Sequence, residues 1–328
     1  MPLFIAFSDK GFLLARQLRD ALGGELFRGG RDISVRDFAA LGFEKDEDMI
    51  FVGAAGIAVR AVSQYCRSKA TDPAVIAVDE CAHFAVPLLS GHLGGANELA
   101  RKISAVCGAQ AAITTATDAN SVFAVDEWAR VQGLHVLNPE RIKHVSGRIL
   151  SGQSIKISSP YPLPEVTPRG VEITDAGTAD VILDIKRSDR EALKLVPGIC
   201  VLGVGCRKGT DREKMRQAFE GFMDSCGIYP QAVSTVASID LKQNEDALIE
   251  LCKQYYFNFS TFSAEELREV KGEFESSEFV RQITGVDNVC ARAAAKLGKI
   301  IVPKTVYNGI TFSLSVQDFI PDWRPYDE

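Results

Sequence analysis

Short apolar runs alternate with stretches whose apolar residues return every three or four positions, and this alternation fills the first third of the chain. The runs read as buried strands and the stretches as amphipathic helices. Phe4 to Phe7 predicts a strand, and Lys10 to Leu22 a helix that stops at Gly23-Gly24. Three further units repeat one plan of strand, small polar loop and helix. Asp48 to Val52 leads into Gly53-Ala54-Ala55-Gly56 and a helix carrying Arg60 toward Tyr65. Phe84 to Leu89 leads into Ser90-Gly91-His92-Leu93-Gly94-Gly95 and a helix from Ala96 to about Cys107. Ala111 to Ile113 leads into Thr114-Thr115-Ala116-Thr117-Asp118, followed by a helix containing Asp126, Glu127 and Trp128. The alternation predicts a mostly parallel sheet over residues 1–133. In such a sheet the loops gather at the carboxyl edge, where helix starts offer free N–H groups, so the three loops are expected to share one site.

The texture changes near Leu134. Ser158-Ser159-Pro160-Tyr161-Pro162-Leu163-Pro164 is too rich in proline for a central strand or a helix, so residues 134–197 are expected to form a small β-rich segment or an extended connector. After Pro197 a strand is predicted over Ile199 to Val204, then the loop Gly205-Cys206-Arg207-Lys208-Gly209-Thr210 and a helix from Asp211 to Ser225. Further helices are predicted at Leu241 to Tyr255 and Ser277 to Leu297, with a hairpin turn at Tyr307-Asn308-Gly309-Ile310. The fold class is α/β: an N-terminal α/β domain (1–133), a small β-rich middle segment (134–197) and a C-terminal α/β domain (198–328).

A chain of 328 residues suits about two compact domains. Hydrophobic residues at 46% and charged residues at 24% exclude disorder, collagen and coiled coil. No run approaches the ~20 apolar residues of a membrane span, and the first residues enter a strand with no basic leader, so a cytoplasmic location is expected. A net charge of −6 argues against broad adhesion to nucleic acid. Eight cysteines without a CxxC pair support neither a disulfide framework nor a zinc ribbon.

Gly91, Gly94 and Gly95 let backbone amides approach a bound oxyanion, and His92 among them has an unperturbed pKa suited to acid–base work. The plainer alternative is a tight turn in which Asn97 and Glu98 help cap the helix and His92 hydrogen-bonds a carbonyl. Thr114, Thr115, Thr117 and Asp118 offer hydroxyls and a carboxylate at the next helix entrance, where Thr and Asp are also ordinary caps. Gly53, Gly56 and Arg60 suit carboxylate binding, as does Lys69, unless both cations are simply solvated. Gly205, Arg207 and Lys208 form an anion loop that fails both nucleotide fingerprints, because Lys208 stands where glycine is needed and precedes Gly209. Cys206 beside these cations is a weak candidate nucleophile. Ser238 is a candidate cap or ligand contact. His83, His135 and His144 have no HxxxH partner, so no protein-bound metal is expected.

Together, Gly53 to Arg60, Lys69 to Asp72, Leu88 to Asn97, Ile113 to Asp118, Gly203 to Gly209 and Ala237 to Lys242 closely resemble the CbiG family of cobalamin biosynthesis, over nearly the whole chain. The resemblance implies a cobalt-precorrin-5A hydrolase of the anaerobic pathway, opening a δ-lactone and releasing acetaldehyde to give cobalt-precorrin-5B. It implies a cobalt corrinoid as the partner, with no further cofactor because the substrate carries the cobalt. The expected mechanism has His92 or Asp118 as general base for a water, with the amides near Gly94-Gly95 holding the oxyanion. Arg60, Lys69, Arg207, Lys208 and Ser238 would receive substrate edges. The rival expectation is a non-catalytic tetrapyrrole-binding or handover protein. A homo-oligomer or transient contact with neighbouring pathway enzymes is compatible with either.

Overall fold

The computed structural model describes residues 1–68 and 71–326. The chain forms three sheets with helices packed against them, a mixed α/β architecture. The first sheet is built from β1 (Leu3–Ala6), β2 (Glu25–Arg28), β3 (Met49–Val52), β4 (Val75–Val78), β5 (Phe84–Leu89) and β6 (Gln110–Ala111), ordered β2-β1-β3-β4-β5-β6. Strands β1, β3 and β4 are buried at every position, as apolar runs covered on both faces must be. Its helices are α1 (Asp9–Leu22), α2 (Val35–Lys45), α3 (Ala55–Val62), α4 (Ala96–Cys107), α5 (Ala116–Ala119) and α6 (Val125–Val131). Ser8 caps α1 by accepting from the Gly11 amide, and Ser34 caps α2 through the Asp37 amide.

One strand reverses. β1 to β4 run parallel, but β5 lies antiparallel to β4, with Val75 opposite Leu89 and Val78 opposite Ala85. β6 then runs parallel to β5. A strand of four residues joined to the next by only five leaves no length for a crossover helix, so the chain turns straight back. The ends of β5 and β6 therefore emerge at the edge opposite the ends of β1, β3 and β4. This overturns the expectation that the three loops share one carboxyl edge.

The second sheet, ordered β7-β11-β10-β8-β9, comprises β7 (Leu134–Val136), β8 (Ile155–Ser158), β9 (Val171–Ile173), β10 (Val181–Leu183) and β11 (Leu193–Pro197). It also holds a helix that the sequence reading missed, α7 (Ile142–Leu150), which presents Ile142, Val145 and Ile149 to the core. The core of this sheet extends beyond residue 134. Phe123, Val125, Trp128 and Ala129 join it from one side and Trp323 from the far end of the chain, so the boundary expected at residue 133 passes through packed side chains.

The third sheet, ordered β14-β13-β12-β16-β15, comprises β12 (Cys200–Gly205), β13 (Val233–Ile239), β14 (Asn258–Phe262), β15 (Lys299–Tyr307) and β16 (Ile310–Val316). It packs α8 (Arg212–Cys226), α9 (Asp246–Tyr255), α10 (Ala264–Glu269), α11 (Glu278–Thr284) and α12 (Val289–Leu297). The helix expected over 277–297 is two helices, because Gly285 ends the first with a left-handed φ of 74° and Asn288 caps the second. The helix expected from Leu241 begins only at Asp246, after a short turn at Asp240–Lys242. The β15–β16 hairpin turns at Asn308 and Gly309, both with positive φ, as its sequence predicts. No helix among the described residues is long and apolar enough to cross a membrane.

Candidate functional site

The reversed strands bring the loops after β5 and β6 together at one sheet edge. A cleft of about 290 Å3 opens there, lined among others by Ser90, Gly91, His92, Asn97, Thr115 and Asp126. The loop after β5 is tightly folded. Gly95 ends it with a left-handed φ of 81° as the residue before α4, and a Cβ on Gly94 would stand 2.4 Å from that of Ser90. Ser90 itself adopts φ 58°, uncommon for a residue with a side chain and a form of strain that gathers at functional sites.

His92 is the centre of the arrangement, with a side chain only 8% exposed. Its Nε2 lies 2.8 Å from Asp118 Oδ2 and its Nδ1 lies 3.2 Å from Asp126 Oδ1. Burial alone would push the imidazole pKa down, but the two carboxylates outweigh it and raise the value to about 9. His92 is thus an imidazolium at neutral pH, with both ring nitrogens as donors. It is not the free base expected from its residue type.

Asp118 stands behind the ring. Its Oδ2 also accepts from Asn97 Nδ2 at 3.0 Å, and its Oδ1 pairs with Arg101. Arg101 Nη1 reaches Glu127 Oε1 at 3.2 Å. Asn97 further donates to Thr115 Oγ1 at 2.7 Å, so Asn97 and Thr115, both expected as caps or ligand contacts, tie α4 to the start of α5. Thr117 is buried with its hydroxyl 3.3 Å from His92 Nε2. Thr114 is exposed at the rim. His92, Asp118 and Glu127 place ligand atoms within 4.8 Å of one another, and the Arg101 guanidinium bridges the two carboxylates. Among the described residues the other group of this kind, Asp79, Cys81 and His83, lies on the exposed turn between β4 and β5.

Several expected residues lie elsewhere. Gly53, Gly56 and Arg60 stand at the opposite edge, where Gly53 donates its amide to Val78 O at 2.8 Å and Arg60 is exposed. Lys69 lies outside the described residues. Glu98 is not among the residues lining the cleft and bridges Lys102 at 2.7 Å and Arg130 at 2.5 Å, with Lys102 first and Arg130 second holding its carboxyl below the usual range. The Gly95 amide, expected near an oxyanion, donates instead to His92 O at 2.9 Å. In the third sheet, Glu245 Oε1 accepts from the amides of Gly209 (2.9 Å) and Thr210 (3.1 Å). The anion loop around Gly205 is therefore filled by the chain's own carboxylate, while Arg207 and Lys208 remain exposed. Ser238 is fully buried and donates to Val204 O at 2.8 Å, which makes it a sheet tie and not a ligand contact. Burial pushes the Cys206 thiol up, against the nucleophile reading.

Asp126 and Arg101 are members of this network that sequence reasoning did not single out. Arg101 follows Asn97 by one helical turn on α4, a spacing that puts both on one face and was legible. Asp126 sits eight residues beyond Asp118, across a turn no periodicity reveals.

Two regions of the chain match family models of known proteins. A family model described as the cobalamin synthesis G N-terminal region matches residues 37–118, and one described as the cobalamin synthesis G C-terminus matches residues 200–315. A cobalt-precorrin-5A hydrolase of Salmonella typhimurium is 33% identical over 289 residues, covering 82% of this chain and 81% of the relative. Another, of Priestia megaterium, is 26% identical over 282 residues, covering 80% and 75%. A protein of Methanocaldococcus jannaschii described as a probable cobalt-precorrin-5A hydrolase is 26% identical over 334 residues, covering 97% and 99%. With two family models matched along the chain and a relative 33% identical over 82% of it, the chain belongs to the CbiG family of cobalamin synthesis.

Proposed function

We propose that this protein is a cobalt-precorrin-5A hydrolase that opens the δ-lactone of its substrate and releases acetaldehyde, giving cobalt-precorrin-5B. The observation that supports it most is an imidazolium, His92, beside a carboxylate, Asp126, on the wall of a cleft. A lactone opens when water adds to its carbonyl carbon and the ring oxygen departs. The attacking water must lose a proton and the departing oxygen must gain one. Asp126 takes the first, and the second reaches the departing oxygen from the His92 imidazolium through Asp126, which its Nδ1 faces. The Gly94 amide, which no described residue engages, stands in the same loop to stabilise the oxyanion.

Opening frees a hydroxyl on the two-carbon unit. Release as acetaldehyde then requires that hydroxyl to lose its proton while the carbon–carbon bond breaks and the macrocycle carbon gains a proton. A carboxylate and an imidazolium sharing one proton can serve both ends in turn. Asp118, behind the ring, holds the imidazole in place with Asn97 and Thr117. Thr114, Thr115 and Gly91 at the cleft receive substrate carboxylates. The first sheet and its loops carry the chemistry in this scheme, the second sheet links, and the third sheet holds another edge of the macrocycle through Arg207 and Lys208. The cobalt belongs to the substrate.

Anaerobic incubation with cobalt-precorrin-5A, assaying acetaldehyde and corrinoid mass together, tests the proposal. Acetaldehyde with the matching mass change is the expected result. Unchanged corrinoid co-eluting with folded protein would replace hydrolysis by binding and handover.

A further inference from the structure

The last described residues of the chain pack against α6, the helix that carries Asp126. After β16 the tail runs back to α6, where Trp128 Nε1 donates to Asp322 O at 2.7 Å and Gln132 Nε2 to Asp322 Oδ1 at 2.5 Å. Trp323 is 2% exposed with its ring tilted against Trp128 at 5.3 Å, and the Tyr326 ring lies 5.0 Å from Phe123. These contacts hold the tail without help from the Tyr326 hydroxyl. That hydroxyl has another arrangement of its own: it donates to Glu127 Oε2 at 2.7 Å and accepts from the Ala124 amide at 3.1 Å. Ala124 is the residue before α6, which has no side-chain cap of its own, and Asp126 and Glu127 occupy its first turn. One oxygen from the tail therefore fixes both the start of the helix that presents Asp126 and the carboxylate of Glu127.

From there the contacts are continuous. Glu127, 6% exposed, meets Arg101, Arg101 meets Asp118, and Asp118 meets His92 Nε2. A buried carboxylate needs its partners, and the loss of one loosens the rest of a polar network. We infer that Tyr326 is a positioning residue for the proposed reaction, acting through Glu127 and Arg101 to set Asp118 against His92 and through Ala124 to set Asp126. The inference rests on the reading that the His92 cleft is the active site.

Tyr326→Phe removes the hydroxyl and keeps the ring against Phe123. Two measurements separate this inference from the reading beneath it. The first is an NMR titration of the His92 imidazole, which needs no substrate: its midpoint is expected to fall by about half to one pH unit in the variant, as Asp118 and Asp126 loosen. The second is turnover of cobalt-precorrin-5A, in which kcat is expected to fall roughly tenfold with KM nearly unchanged. A merely structural tail contact would lower thermal stability and leave the midpoint and kcat where they are, and that result overturns the inference. If the wild-type protein releases no acetaldehyde, the functional reading fails while the titration still decides whether the network exists. Should Tyr326→Phe not fold, Glu127→Gln tests the same link with the tail in place, and an unmoved His92 midpoint there also overturns it.

Discussion

An imidazole with a carboxylate at each ring nitrogen keeps its proton, and His92 is so held between Asp118 and Asp126. Its ordinary pKa of 6.5 would suit a base, whereas its folded value near 9 makes it an acid and a source of positive charge. The same shift bears on stability. The stabilisation is complete below about pH 6.5 and is lost as the pH rises through about 9, because only the folded state keeps the proton in between. Chemical denaturation is expected to show wild type losing roughly 3 kcal/mol relative to His92→Gln between about pH 6 and pH 10. Equal pH dependence in the two proteins would remove the imidazolium. Asp126→Asn keeps the size of the side chain and takes away the proton acceptor in the cleft. Its turnover is expected to fall roughly 10²-fold or more, and steady-state rates within a few-fold of wild type would exclude Asp126 as the base.

Individual elements were largely legible, since β3, β5, α1, α4 and α8 fall within a residue or two of the positions their apolar spacing predicts. Direction was not. A six-residue apolar run looks the same pointing up or down the sheet, so Phe84 to Leu89 announced a strand without announcing that it turns back on β4. That one reversal separates Gly53, Gly56 and Arg60 from His92 and puts the site at the other edge. It also demands the compact loop after β5. Gly94→Ala would drive a Cβ to 2.4 Å from Ser90 Cβ and 3.0 Å from Ser90 O, so the loop must shift or lose stability. A cost of about 1–3 kcal/mol is expected, with activity falling further than stability explains. Urea unfolding alongside turnover would show it, and a variant as active and stable as wild type would mean that the loop geometry is not required. The Asp246 start of α9 and the break at Gly285 escaped notice because polar and small residues can either continue or end a helix, and tertiary contacts decide which.

At the scale of the whole molecule, the chain end completes what its first third begins. Residues 123–129, the second sheet and Trp323 share one apolar core, so a boundary drawn from local texture at residue 133 cuts a unit that contact across almost 200 positions holds together. Sequence texture cannot report such contacts, because they are set by packing and not by neighbours along the chain. Trp323→Ala is expected to cost about 3–5 kcal/mol by emptying this core, and calorimetry would contradict the account with a change under about 1 kcal/mol. The composition and net charge of −6 argue against broad adhesion to nucleic acid but say nothing of where the cleft lies. The central claim is that the cleft holding His92 performs the hydrolysis. Single-turnover release of acetaldehyde from saturating cobalt-precorrin-5A by His92→Gln tests it most directly: the account expects folded, substrate-binding protein whose rate is down by roughly 10²–10⁴-fold, and a rate equal to wild type would contradict it.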